Sequence, residues 1–356
     1  MFMFLATTAA FAQGLPAISD LQLDAQRPEL EFFDLETDTQ THSVVNGSLT
    51  SDYSQVGVLA AVFSDGSASP FCSGSLVTGD IVLTAAHCIE AFEDFAEEPE
   101  LDGFVFAMGA DLFSGLDDYR WITGAEMHPD YNPSTIEWDL GLLQLQEPVT
   151  KLAPLCINDE PISSDWYGVG IDYVGWGMTS MEDPMDGYKR TVTIPMVGHN
   201  STHFFTYVED KNICHGDSGG GAIVELTDGT RMLTGVNSYG FDVETGDYYG
   251  CDVEGAGAAA ARVDVALDWI LPHTGDITCG APDVPECPDG SRWDGEDCVE
   301  IEITEHSDDS ESSEHSSLSE GKSLEVGCAC SASGNTGGGL AIALLSALGL
   351  VVRRRA

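Results

Sequence analysis

The chain has 356 residues, 43% of them hydrophobic and 9% aromatic, which excludes wholesale disorder and a fibrous architecture and allows about two domains. Thirteen Lys and Arg against 60 Asp and Glu give a formal charge of −47 at pH 7, and so negative a surface repels phosphate backbones, excluding nucleic acid as a partner. Ten widely spaced cysteines exceed the needs of a reduced cytosolic enzyme and point to an oxidising, exported setting.

Residues 1–12 (MFMFLATTAAFA) form a short apolar run closing on Ala10-Phe11-Ala12, the small-x-small end of a cleaved signal peptide, although the usual basic n-region is missing. The acidic stretch 13–43 lacks a sustained apolar period and reads as a pro-segment. From 44 to 275 the pattern changes to short alternating runs broken by Gly, Asp and Asn, the texture of antiparallel β-sheet. Within it, 222–226 and 231–236 flank Asp228-Gly229, a dipeptide suited to a hairpin turn, and only 264–271 (DVALDWIL) reads as helix. No internal repeat is visible. Residues 276–299 form a small Cys-rich segment with two Asp-Gly turns, and 300–327 an acidic, Ser-rich linker.

The last segment, 328–356, holds an uncharged apolar run at 337–352 followed at once by Arg353, Arg354 and Arg355, a cluster that stays cytoplasmic and orients everything upstream outside the inner membrane. Gly327-Cys328-Ala329-Cys330, the small residues, the apolar run and the arginines together resemble the MYXO-CTERM sorting tails. That resemblance implies processing near the cysteines, display at the cell surface, and sorting machinery or a membrane as the tail's partner. A permanent transmembrane anchor is the plainer reading.

Three segments carry chemistry: TAAHC (84–88), EWDLGLLQL (137–145) and CHGDSGGG (214–221). A serine hydroxyl is a weak nucleophile at neutral pH and needs a base beside it, and the base needs a carboxylate to hold its tautomer. In this order the segments resemble the chymotrypsin/trypsin family of serine proteases. The resemblance implies an all-β fold of two antiparallel six-stranded β-barrels with a short C-terminal helix. It assigns catalysis to His87, Asp139 and Ser218, and the oxyanion hole to the backbone N–H groups of Gly216 and Ser218. It also implies activation: an activating protease would free the α-amine of Val44 (in Val44-Val45-Asn46-Gly47), which would then pair with Asp217. Ser43 precedes that site where Arg or Lys is usual, so a trypsin-like activator is not expected.

By the same resemblance Cys72 pairs with Cys88, and Cys214 with Cys251. For the remainder we favour Cys156 with Cys279 and Cys287 with Cys298, while spacing alone leaves the connectivity open. The substrate-binding residues are Asn212, Ile213, Ser238, Tyr239 and Gly240. Asn212 stands where trypsin-like members carry an aspartate, and Gly257 and Ala258 are small enough to leave the opposite wall open. An uncharged side chain of small to medium size is therefore expected before the cleaved bond. No cofactor or metal is implied: His199 and His203 lack the glutamate of a zinc protease motif, the cysteine gaps do not suit a zinc knuckle, and the acidic stretch 90–102 reads as a solvated face before it reads as a calcium site. The partners implied are protein or peptide substrates. The reading from a different class is a catalytically silent binding or adhesion protein on the same fold.

Overall fold

The computed structural model describes residues 31–32, 45–114, 116–181, 185–248, 250–279, 291–293 and 298–300. Residues 1–12, most of 13–43, the linker beyond residue 300 and the tail 328–356 lie outside the described residues, as do Val44 and Cys287. Among the described residues no helix is long and apolar enough to cross a membrane.

The first half of the chain supplies β1 (Val56–Phe63), β2 (Ser67–Leu76), β3 (Ile81–Thr84), α1 (Ala86–Ala96), β4 (Leu101–Met108), β5 (Asp118–Met127) and β6 (Gly141–Leu145). Neighbours run β1-β4-β5-β6-β3-β2, and β2 returns to pair with β1, so the sheet closes on itself with no free edge among these six. The second half supplies β7 (Gly170–Gly175), β8 (Arg190–His199), β9 (His203–Thr206), β10 (Gly221–Glu225), β11 (Arg231–Asp242), β12 (Ala256–Arg262) and then α2 (Leu267–Thr274). Its order is β7-β10-β11-β12-β9-β8, closed by the β7–β8 pair. Two antiparallel six-stranded barrels with the same strand order thus follow each other, as expected, from halves that share no visible repeat.

Burial explains the composition of the strands. In β1 (VGVLAAVF) seven of eight residues are buried, because its inner face fills the barrel and its outer face is covered. β12 (AGAAAAR) is buried throughout and lies between β9 and β11. A single apolar cluster runs from Leu59, Leu83 and Phe106 of the first barrel to Val174, Ile223 and Val236 of the second, which locks the two together. A separate cluster around Ile171, Tyr173, Ile194 and Phe204 fills the second barrel.

The hairpin at Asp228-Gly229 forms as read: Glu225 faces Arg231, the Leu226 N–H donates to the Thr230 carbonyl at 2.7 Å, and Gly229 takes φ = +84°. The helix near the end starts at Leu267, three residues later than 264–271 suggests. Asp264 is engaged elsewhere, accepting the Ile162 N–H at 3.0 Å and an Arg262 guanidinium N–H at 2.5 Å. Helix α1 is a correction to the sequence reading. It buries Ala86, Cys88, Ile89 and Phe92, and its exposed Glu90, Glu93 and Asp94 belong to the acidic stretch 90–102.

Three disulfides are present among the described residues: Cys72–Cys88, Cys156–Cys279 and Cys214–Cys251. The second ties the chain beyond α2 back onto the Cys156–Ile157 strand that pairs with β11. Of the Cys-rich segment, Ser291–Trp293 and Cys298–Glu300 form a two-stranded ladder. The expected Cys287–Cys298 pair falls outside the described side chains.

Candidate active site

His87 lies in the first turn of α1, immediately after β3, and Asp139 ends the loop that leads into β6. Gly141 lies where α1 meets β6: a Cβ there would push the Ile89 side chain aside and come within 3.2 Å of the Ala85 carbonyl, so glycine eases their close approach. The His87 backbone N–H donates to Asp139 Oδ1 at 3.0 Å, and His87 Nδ1 lies 2.8 Å from Asp139 Oδ2. Ser238 Oγ donates a third bond to Oδ2 at 2.5 Å. The Asp139 side chain is fully buried while the imidazole keeps 23% of its surface exposed. Burial alone would raise the carboxyl, but the facing His87 and the donors of His87 and Ser238 outweigh it and hold Asp139 below the usual carboxylate range. For His87, burial opposes the cation, and the Asp139 charge and hydrogen bond overcome that, leaving the imidazole above its ordinary value.

Trp138, next to Asp139, takes φ = +57° and stacks on His128 with ring centroids 4.5 Å apart and planes 7° from parallel. That stack fixes the residue preceding the carboxylate; the sequence reading passed over Trp138.

Ser218 comes from the other barrel, on the loop before β10. The first barrel grips this loop: Ser73 N–H donates to the Ser218 carbonyl and Ser73 Oγ to the Gly216 carbonyl, both at 2.8 Å. Gly219, at φ = +81°, packs on Thr84 and the Ser73 carbonyl so closely that no Cβ fits. Gly216, at φ = +92°, sits against Gly177 and Met185, so its lack of a side chain serves loop packing. Among the described residues no acceptor takes the N–H of Gly216 or Ser218, and no hydrogen bond joins the Ser218 hydroxyl to His87. The Ser218 carbonyl lies 3.5 Å from the Cys88 sulfur, which places the serine loop beside the histidine loop.

Asp217 is fully buried in the same loop. Its carboxylate accepts the N–H of Gly177 at 2.8 Å and of Cys214 at 2.9 Å. Burial, only partly offset by those bonds and by Arg190, pushes it up to about 7. Its expected partner, the Val44 amine, lies outside the described residues.

Ser218 borders a cavity of about 30 Å³ lined by Ile213, Cys214, His215, Ser238, Tyr239, Gly240, Tyr248 and Cys251. Four of the five expected substrate-binding residues are there. Asn212 is not: its Oδ1 accepts the Ile213 N–H at 2.9 Å, its backbone bridges Val45, and it faces a separate cavity with Tyr207 and Ala256. Gly257 does not leave an open wall either, because the Phe241 ring occupies the space its side chain would take. His215 and Tyr248 are additions. His215 hides inside the serine motif and is held below its ordinary value by burial and by the neighbouring His87.

His199 and His203 do not converge: His199 Nδ1 lies 3.1 Å from the Tyr167 hydroxyl and His203 Nδ1 3.0 Å from the Thr202 hydroxyl. The one described group with metal-ligand proximity, Cys72, His87 and Cys88, has both sulfurs committed to a disulfide.

The trypsin family profile matches residues 44–270. Among similar proteins, serine protease filzig of Drosophila melanogaster is 29% identical over 195 residues, covering 48% of this chain and 11% of that protein. Mannan-binding lectin serine protease 1 of Rattus norvegicus is 30% identical over 246 residues, 60% of this chain and 33% of the relative. Trypsin 5G1 of Aedes aegypti is 28% identical over 227 residues, 58% of this chain and 76% of the relative. The chain thus spans only a fraction of the first two relatives' length. With both barrels closed and a family match over more than half its length, the chain belongs to the chymotrypsin/trypsin-like serine protease family.

Proposed function

We propose that this protein is an exported serine endopeptidase, made as an inactive precursor, that hydrolyses peptide bonds through Ser218, His87 and Asp139. The observation that carries the reading is the His87–Asp139 pair, 2.8 Å apart with the carboxylate buried, across the barrel seam from Ser218. In this reading Ser218 Oγ attacks the substrate carbonyl carbon and His87 Nε2 takes its proton. The oxyanion is held by the N–H groups of Gly216 and Ser218, and that no acceptor among the described residues takes either N–H supports that role. The C–N bond breaks as His87 returns the proton to the leaving amine. Water then repeats the sequence on the acyl-enzyme, releasing the acid and restoring the hydroxyl. Asp139 keeps Nδ1 protonated and stabilises the imidazolium.

Activation follows from Asp217. A protease cutting before Val44 would supply an ammonium group to a buried carboxylate that, among the described residues, accepts two backbone N–H groups. Three disulfides support an oxidising, extracytoplasmic location, and the tail 328–356 would attach the protein to the cell surface or to sorting machinery. Protein or peptide chains are the substrates, with an uncharged residue before the bond. The test is hydrolysis of a denatured protein substrate by the chain cut before Val44, compared with Ser218→Ala and His87→Ala. Cleavage abolished by both substitutions supports the reading; cleavage that survives Ser218→Ala, or a folded cut protein with no hydrolysis, refutes it.

A further inference from the structure

The size of the cavity beside Ser218 depends on an excursion between β11 and β12. β11 runs to Asp242, the chain turns, and Tyr248 returns to face Phe241 in an antiparallel bridge. Asp242 sets the turn: its carboxylate accepts the N–H of Glu244 and of Thr245 at 2.8 Å, its own N–H donates to the Asp247 carbonyl at 2.9 Å, and Gly246 takes φ = +76°. Three residues after Tyr248, Cys251 is bonded to Cys214, which lies four residues before Ser218. Tyr248 is therefore pinned on both sides by features unrelated to its own ring.

That ring stacks beside Tyr239, centroids 6.3 Å apart and planes 30° from parallel, and forms a wall of the Ser218 cavity while remaining 63% exposed. Phe241, its bridge partner, covers Gly257 and packs edge-on against Phe205. Of the other walls, Ile213 is buried, and Cys214 and Cys251 are covalently joined. The free space among these walls is about 30 Å³, well below the roughly 150 Å³ of an apolar cavity that holds a benzene ring.

We propose that Tyr248 is a specificity-determining residue, its ring closing the cavity so that peptides with a small side chain before the cleaved bond are accepted and those with an aromatic one are rejected. This rests on the reading of Ser218 as the nucleophile. The test uses the full chain cut before Val44 and two peptides that differ only in Ala or Phe before the bond, with fluorophosphonate labelling of Ser218 followed in parallel. The wild type favours Ala. Tyr248→Ala raises the Phe-to-Ala ratio of kcat/KM by about tenfold or more, the scale on which pocket volume discriminates apolar side chains. Tyr248→Phe, which keeps the ring, leaves the ratio unchanged, and Tyr248→Leu falls between, which carries the test if the alanine variant does not fold. A Tyr248→Ala protein that labels at Ser218 and keeps the wild-type ratio overturns the proposal, as does a wild type that favours Phe. If the wild type neither labels nor cleaves either peptide, the reading of Ser218 fails and the proposal falls with it.

Discussion

Asp217 makes the uncut chain sensitive to pH in a direction that can be worked out beforehand. An aspartate in the unfolded chain titrates at 3.8 and Asp217 in the folded chain at about 7. Below 3.8 it is protonated in both states and costs nothing. Between the two values the folded state binds the extra proton, so stability falls as pH rises, and above 7 the cost is constant. About three pH units at 1.36 kcal/mol each give a cost of about 4 kcal/mol for the buried charge. Asp217→Asn keeps the shape and removes the titration. Urea unfolding of the uncut chain, carrying Ser218→Ala to prevent self-cleavage, is to be compared with its Asp217→Asn counterpart from pH 4 to pH 8. The difference in unfolding free energy should shift by about 4 kcal/mol in favour of Asn across that range. After the cut before Val44 the new ammonium should stabilise the charged carboxylate and reverse the trend. Parallel profiles for Asp and Asn before the cut, or no change after it, would refute the argument.

Other expectations follow from the same geometry. Catalysis needs neutral His87, and because Asp139 raises the imidazole, kcat/KM should fall on acidification with a midpoint above the ordinary value of 6.5; a pH–rate profile with its acid limb below 6.5 contradicts this. Asp139→Asn should lower kcat by roughly 10⁴-fold while substrate binding changes little, as measured by steady-state kinetics. Replacing Cys156 and Cys279 by serine releases a cross-link spanning 123 positions and should lower stability by about 2–5 kcal/mol, read as an earlier urea midpoint. Gly219→Ala should abolish Ser218 labelling while far-UV circular dichroism stays near wild type, because the added carbon displaces the serine loop from Ser73 and Thr84.

What could be read from the sequence follows the range of the forces involved. The Asp228-Gly229 hairpin was legible because turn chemistry and strand alternation agree locally. Helix α1 was not: Ala85 before it provides no side-chain cap, and its buried stripe of Ala86, Ile89 and Phe92 sits among acidic residues that read as loop. β12 shows tertiary packing overriding propensity, since AGAAAAR favours helix in isolation and becomes strand because β9 and β11 pair with it on either side. Three short motifs singled out His87, Asp139 and Ser218 as candidates, and the structure pairs His87 with Asp139. The lining of the cavity beside Ser218 was legible only in part, with Ile213, Ser238, Tyr239 and Gly240 present, because counting positions does not tell which way a side chain turns. Asn212 satisfies the Ile213 N–H and lines a separate cavity, while Tyr248, thirty residues beyond Ser218 and outside every motif, lines the one beside it.

The most direct measurement is fluorophosphonate labelling of the chain before and after a cut in front of Val44, with Ser218→Ala alongside. The account predicts labelling only after the cut and only with Ser218 present. Equal labelling before the cut would contradict the precursor mechanism, and no labelling of the folded, cut protein would contradict the assignment of Ser218 as nucleophile.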